Sequence, residues 1–340
     1  MSIQPEKTVV PQRLKPGSRL RAIAPSCSRA FVMEHDNTQW INERFEQLGI
    51  TVDFGAHVDE NDDFDSSPIA SRLEDLHAAF ADPEVDGIIS IIGGFNANEL
   101  LPYLDWDLIV RNPKVFCGYS DFTALANAVY ARTGLLTYVG AHWSSFGMRD
   151  FFEPTGLWFK QATHDLAWSI EHQRGFTDDF WFMNQDERRV HATAGPWVFT
   201  AGSVQGRVLG GSLSTFSLLR GTSYMPDLSG AVLFVEDDAA VDIDEFGRNF
   251  AAILQAPGAD QLAGVAIGRF QLDSKVTRGL LAQIIAKHPV LQNIPVVANL
   301  DFGHTSPMFT LPIGGFAALR AEGTEVQLGF AHRVQELQAG

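Results

Sequence analysis

Two hydrophobic periods divide the first half of this chain. Over residues 20–26, 50–54, 87–92 and 115–117 the apolar positions are contiguous and β-prone, whereas over 33–48, 69–81, 98–105 and 121–130 they recur every three or four residues. Strands separated by helices are not joined by tight hairpins, so the alternation predicts an α/β fold with a parallel sheet of the flavodoxin or Rossmann kind. Such a sheet binds ligands at the carboxyl ends of its strands. An acidic loop over 59–65 interrupts the alternation.

Past the middle the pattern changes. Residues 164–196 are charged, aromatic and irregular, which suits a linker and substrate loop. Beyond them, β-like runs at 198–209, 231–236, 263–270, 294–300 and 325–331 enclose helical stretches near 244–255 and 277–287. The chain therefore divides into an α/β domain over 1–163, a connecting segment over 164–197 and a β-rich domain over 198–340.

Three strand ends carry candidate chemistry. In Val115-Phe116-Cys117-Gly118-Tyr119-Ser120-Asp121-Phe122 an apolar strand turns sharply at a serine and enters a helix. Ser120 thus sits where free backbone N–H groups and the helix dipole favour an oxyanion, although a serine there also serves simply as a helix cap. The run 230–235 stops at Glu236-Asp237-Asp238, and the run 294–300 stops at Asp301-Phe302-Gly303-His304. A serine hydroxyl needs a neighbouring base, and an imidazole needs a carboxylate to hold its tautomer. A Ser-His-Glu set is complete in composition. Taken singly, Glu236 also reads as a solvated strand end and His304 as a turn histidine before Pro307.

Gly118-Tyr119-Ser120-Asp121, Phe234-Val235-Glu236-Asp237 and Gly303-His304-Thr305-Ser306-Pro307 resemble, in order, the signature blocks of the LD-carboxypeptidase family of serine peptidases. That family includes murein tetrapeptide carboxypeptidases and microcin C self-immunity peptidases. The resemblance runs from Leu14-Lys15-Pro16-Gly17 to Pro312-Ile313-Gly314-Gly315. It implies Ser120 as nucleophile, His304 as general base and then acid, and Glu236 as the group that orients the histidine. It also implies a barrel-like second domain that meets the first across the active site.

A fourth block bears on the subfamily. Ile91-Ile92-Gly93-Gly94-Phe95-Asn96 resembles the glycine turn that supplies part of the family's oxyanion hole. Murein carboxypeptidases usually carry an arginine before the glycines and Tyr-Gly after them, so Ile92 and Phe95-Asn96 place this chain closer to the microcin C immunity branch. Paired glycines after an apolar strand let a backbone N–H approach a reacting carbonyl, though an ordinary turn uses glycine equally well. The resemblance makes the amides of Gly94 and Asp121 the oxyanion donors and makes Phe95 and Asn96 substrate contacts. It matches Trp181, in Thr177-Asp178-Asp179-Phe180-Trp181, to an aromatic platform for the nucleotide part of a substrate; a packed structural tryptophan is the alternative. Ser212 stands where immunity peptidases often have asparagine, which leaves its substrate contact in doubt. Arg269 is the arginine best placed to grip a terminal carboxylate, as a murein substrate would require.

Composition narrows the partners. Lys and Arg number 25 against 41 Asp and Glu, and a net charge of −16 argues against nucleic acid polymers and anionic membranes. Two cysteines, Cys27 and Cys117, fit a reducing compartment rather than a disulfide framework. The first twelve residues lack an apolar core of signal-peptide length, and a cytoplasmic location is expected. The acidic cluster 236–245 lacks EF-hand spacing, no zinc pair of the His-x-x-x-His or Cys-x-x-Cys type occurs, and Gly93-Gly94 is not followed by the Gly-Lys of a phosphate loop. The expected activity is cofactor-free and metal-free amide hydrolysis, by a homodimer acting on a microcin C-like peptidyl or aminoacyl nucleotide. Two alternatives stay open: an L,D-carboxypeptidase releasing D-alanine from murein tetrapeptide, and a catalytically silent binding protein of the same fold. An α/β-hydrolase elbow is broken by Phe122, which stands at its last glycine.

Overall fold

A computed structural model describes residues 7–35 and 37–338. Residues 1–6, Asp36 and 339–340, which include parts of the expected leaderless N-terminus and of the helix read over 33–48, lie outside the described residues.

The first half contributes five parallel strands: β1 (Arg19–Ile23), β2 (Thr51–Phe54), β3 (Gly87–Ser90), β4 (Val115–Gly118) and β5 (Thr137–Val139). Their order is β2-β1-β3-β4-β5, with every pair parallel. This is the flavodoxin-like arrangement, whose strand order reverses between β1 and β3 and opens a crevice there. Every residue of β3 and β4 is buried, as expected of central parallel strands covered on both faces. The helices are α1 (Thr38–Gln47), α2 (Ile69–Ala81), α3 (Trp106–Arg111), α4 (Phe122–Thr133) and α5 (Phe152–His164). Two differ from the periodicity. The stretch before α1 is a 3-10 turn over Arg29–His35, and the expected helix at 98–105 is a 3-10 segment, Ala97–Tyr103, in which Pro102 supplies no N–H.

The second half forms one eight-stranded sheet. Its members are β6 (Ala167–Ser169), β9 (Trp197–Thr200), β10 (Gly202–Ser212), β11 (Ala231–Glu236), β12 (Gly264–Gly268), β13 (Val296–Leu300), β15 (Phe316–Glu322) and β16 (Glu325–Ala331). The order is β6-β16-β15-β10-β11-β12-β13-β9, with β10 to β13 mutually parallel. The barrel-like closure implied by the resemblance is absent: β6 pairs with β16 and β9 with β13, leaving both as edges. The sheet stays open because its end strands, β6 and β9, pair inward and not with each other. Each parallel step is made by a helical crossover, α6 (Leu213–Ser217), α7 (Ile243–Ile253) or α8 (Arg278–Ala286). A small hairpin joins β7 (Gly175–Phe176) to β8 (His191–Ala192) within the irregular segment.

Two devices tie the halves together. One is β14 (Leu311–Ile313), which leaves the second half and pairs antiparallel with β5, making it the sixth strand of the first sheet. The other is α4, a helix with ten of its twelve residues buried. Asn127 on α4 donates to the Gly210 carbonyl at 2.8 Å and accepts the Gly210 N–H at 3.1 Å, while the Thr123 hydroxyl accepts the Ser212 N–H at 3.1 Å. Gly211 makes this approach possible, because its φ is +132° and a Cβ there would lie 2.5 Å from Thr123 Oγ1. No helix among the described residues is long and apolar enough to cross a membrane.

Candidate active site

The turn after β4 holds Ser120 at φ 60°, a left-handed conformation that costs a non-glycine residue on the order of 1–3 kcal/mol. The geometry points the side chain out of the sheet just before α4 begins. Its Oγ–H donates to His304 Nε2 at 3.0 Å, and His304 Nδ1–H donates to Glu236 Oε2 at 2.8 Å. Three residues from three strand ends of two sheets thus form one hydrogen-bonded line. Glu236 is fully buried, and the His304 side chain keeps 18% of its exposure. The Tyr119 ring packs 4.8 Å from the imidazole, centroid to centroid.

Electrostatics favours a charged imidazole here. Burial pulls the His304 pKa down, but the carboxylates of Glu236, Asp238 and Asp237 outweigh it and leave the pKa above the ordinary value. Asp237 is itself pushed up to about 7 by burial and by the adjacent Glu236 charge, although Ser214 and Ser212 donate to it.

Around Ser120 lies a cleft of about 190 Å³ at the crevice between β1 and β3. Gly93 and Gly94 form one wall. Gly94 has φ +148°, and a Cβ on it would fall 2.2 Å from Ser26 Oγ and 2.9 Å from the Cys27 nitrogen. Among the described residues, no backbone hydrogen bond uses the amide of Gly94 or of Asp121. The Asp121 carboxylate is occupied, accepting from Ser26 Oγ at 2.6 Å and from the Ala97 amide at 2.7 Å, so it stitches the β1, β3 and β4 turns together. Phe31, Phe95, Tyr119, Phe180, Trp181 and Phe182 supply the aromatic lining.

The substrate contacts expected from the sequence divide sharply. Phe95, 85% exposed, stands at the mouth, and Trp181, 8% exposed, reaches the cleft from a packed position edge-on to Phe182. Asn96 does not line the cleft; its Oδ1 accepts from Ser26 Oγ at 3.2 Å. Ser212 also turns away, donating its hydroxyl to Asp237 Oδ1 at 3.1 Å. Arg269 is the clearest correction. It is buried outside the cleft, its Nη2 lies 2.7 Å from Asp301 Oδ1, its Nε donates to Asn299, and its guanidinium stacks on Phe176. A guanidinium so far neutralised holds the turn leading to His304 and has no charge to offer a substrate carboxylate. The sequence reading passed over Asn127 and Thr123, which look like ordinary helix positions, and His142, which lines the cleft three residues after β5. The strand-end logic that found Ser120 applies equally to His142.

The first half, residues 21–140, matches the LD-carboxypeptidase N-terminal domain, and residues 205–319 match the LD-carboxypeptidase C-terminal domain. YocD of Bacillus subtilis, which carries a provisional carboxypeptidase name, is 40% identical over 91% of this chain and 95% of its own. An MccF-like protein of Bacillus anthracis superposes with a TM-score of 0.93 at 40% identity, covering 96% of this chain and 100% of that one. The microcin C7 self-immunity protein MccF of Escherichia coli is 30% identical over 80% of this chain and 82% of its own. A solved structure of MccF in complex with aspartyl sulfamoyl adenosine superposes with a TM-score of 0.83 at 26% identity, covering 96% and 99% of the two chains. Alike in both halves and over nearly its full length, the chain belongs to the LD-carboxypeptidase family of serine peptidases.

Proposed function

We propose that the protein hydrolyses the amide of aminoacyl or peptidyl nucleotides through a Ser120–His304–Glu236 triad. The observation that carries the nucleotide part is the cleft lining: six aromatic side chains and, among the described residues, no lysine or arginine. A murein tetrapeptide presents a terminal carboxylate that calls for a cation, whereas a purine calls for flat apolar faces, each worth about 1 to 3 kcal/mol in stacking. The binding of aspartyl sulfamoyl adenosine by MccF supports the same class.

The chemistry follows from the distances. Ser120 Oγ, 3.0 Å from His304 Nε2, gives up its proton as it attacks the acyl carbon. Glu236 fixes the tautomer that leaves Nε2 free to accept and stabilises the imidazolium that results. The amides of Gly94 and Asp121 receive the oxyanion, a donor of this kind being worth about 2.7 to 4 kcal/mol of barrier. His304 then protonates the departing nitrogen, leaving an acyl-serine, and afterwards draws a proton from the water that releases the acid. The left-handed turn at Ser120 carries the hydroxyl beyond the end of β4, where it lines the cleft.

The test is a substrate panel assayed by mass spectrometry. Aspartyl sulfamoyl adenosine is expected to yield aspartate and sulfamoyl adenosine. Release of D-alanine from murein tetrapeptide with the adenosine compound untouched would refute the nucleotide assignment.

A further inference from the structure

The cleft holds a polar side chain for which the triad has no use. His142 is 6% exposed and lines the same wall as Tyr119, with ring centroids 6.1 Å apart. Its Nδ1 is committed to the protein. It accepts the Ser145 backbone N–H at 3.2 Å and lies 3.0 Å from the hydroxyls of Ser144 and of Ser145, capping the 3-10 turn Trp143–Gly147. A backbone amide can only donate, so Nδ1 is unprotonated and a neutral ring carries its hydrogen on Nε2. Burial, reinforced by the neighbouring His304, holds the imidazole pKa down at about 3, so the ring stays neutral while the enzyme works.

Nε2 is therefore a donor of fixed direction. Among the described residues nothing hydrogen-bonds it, yet it is absent from the sealed polar atoms that lack partners, so it keeps contact with solvent. The ring lines the cleft with Nδ1 engaged by the turn, which leaves Nε2 as the polar atom available to a bound molecule. In a wall without described lysine or arginine, a neutral donor meets an acceptor oxygen without the desolvation cost of a buried cation.

We propose that His142 is a substrate-binding residue, its Nε2–H donating to an acceptor oxygen of the bound acyl amide. The assignment rests on the cleft being the substrate site. Two substitutions separate binding from capping. His142→Asn keeps an acceptor at the Nδ1 position, and asparagine is a good cap, but it removes the cleft donor. His142→Gln keeps a donor near the Nε2 position and gives up the cap. Each is assayed on whichever amide of the panel the wild-type enzyme cleaves, so failure of the nucleotide assignment leaves this test intact.

His142→Asn is expected to melt near the wild-type temperature and to lose roughly 10- to 100-fold in kcat/KM, mainly through KM. His142→Gln is expected to melt lower and to recover most of the kcat/KM. Wild-type kcat/KM in a folded His142→Asn protein overturns the proposal, as does a folded His142→Gln protein no better than His142→Asn. Should either variant fail to fold, nitrogen NMR of Ser120→Ala protein decides: the His142 Nε2–H resonance shifts when the amide substrate is added, and an unmoved resonance at saturation overturns the assignment.

Discussion

The floor and the rim of the cleft are built by opposite rules. On the floor, Ser120, Glu236 and His304 lie at or just past the ends of three strands buried on both faces, and each is hydrogen-bonded to another member of the set. At the rim, Phe31, Phe95 and Phe180 are 42%, 85% and 57% exposed, and they stand on turns and loops rather than on strand ends. Phe182 touches Phe31, Phe180 and Trp181 ring to ring, with centroids 5.7 to 5.9 Å apart. A fixed floor suits a reaction that tolerates little misplacement; an exposed aromatic rim reshapes at low cost to suit a leaving group. Rate is thus sought in the strand ends and selectivity in the loops.

The sharpest way to break that contrast is at the floor. Ser120→Ala is expected to lower kcat by roughly 10⁴-fold or more while leaving substrate affinity and melting temperature intact, and Glu236→Gln to cost about 10⁴-fold because the imidazole loses its tautomer. A double variant no worse than Ser120→Ala marks one catalytic unit. Single-turnover kinetics with calorimetric binding decides; a Ser120→Ala protein with wild-type kcat would end the serine assignment.

A pH profile sharpens the contrast next. The base must be neutral, and the His304 pKa lies above the ordinary value of about 6.5. Activity is therefore lost as pH falls through a midpoint above 6.5, by about tenfold per unit once below it. In Glu236→Gln the strongest upward influence is gone and burial remains, so the residual activity is expected to show a lower midpoint. An unchanged midpoint would mean that another group sets the acid limb.

The smallest expected effect is at the rim. Trp181→Ala is expected to reduce kcat/KM by roughly 10- to 100-fold on an aminoacyl sulfamoyl adenosine and less on a minimal amide, from the loss of about 1 to 3 kcal/mol of stacking. Equal losses on both substrates with a lowered melting temperature would make Trp181 part of the floor's packing, and the contrast would fail there.

What was readable in the sequence follows the same division. β3 and β4 announce themselves as unbroken apolar runs because central parallel strands are buried on both faces, and the three side chains of the proposed triad lie at the ends of such runs or just past them. The strand β15 escaped, since Phe316–Glu322 mixes exposed Arg320 and Glu322 with buried alanines and sits outside the parallel core. Phe95 and Trp181 line the cleft, whereas Asn96 and Arg269 lie off it for a common reason. Their partners, Ser26 and Asp301, lie 70 and 32 positions away, and pairing of that kind carries no local periodicity. His142 went unseen because β5 leads into the 3-10 turn Trp143–Gly147, whereas the strand before Ser120 leads into a helix whose period marks the junction.

The strand β14 sets a timetable for synthesis. By Val139 the ribosome has delivered five of the six strands of the first sheet, but the edge of β5 finds its antiparallel neighbour only when Leu311–Ile313 emerges, some 170 residues later. Until then the nascent chain carries an open row of amides and carbonyls beside a largely finished core, the kind of edge that recruits a neighbouring chain. In the proposed triad Ser120 is in place early, whereas Glu236 and His304 arrive with the late strands. On that proposal the chain gains its activity only when the edge that threatens its solubility is within a few residues of being covered.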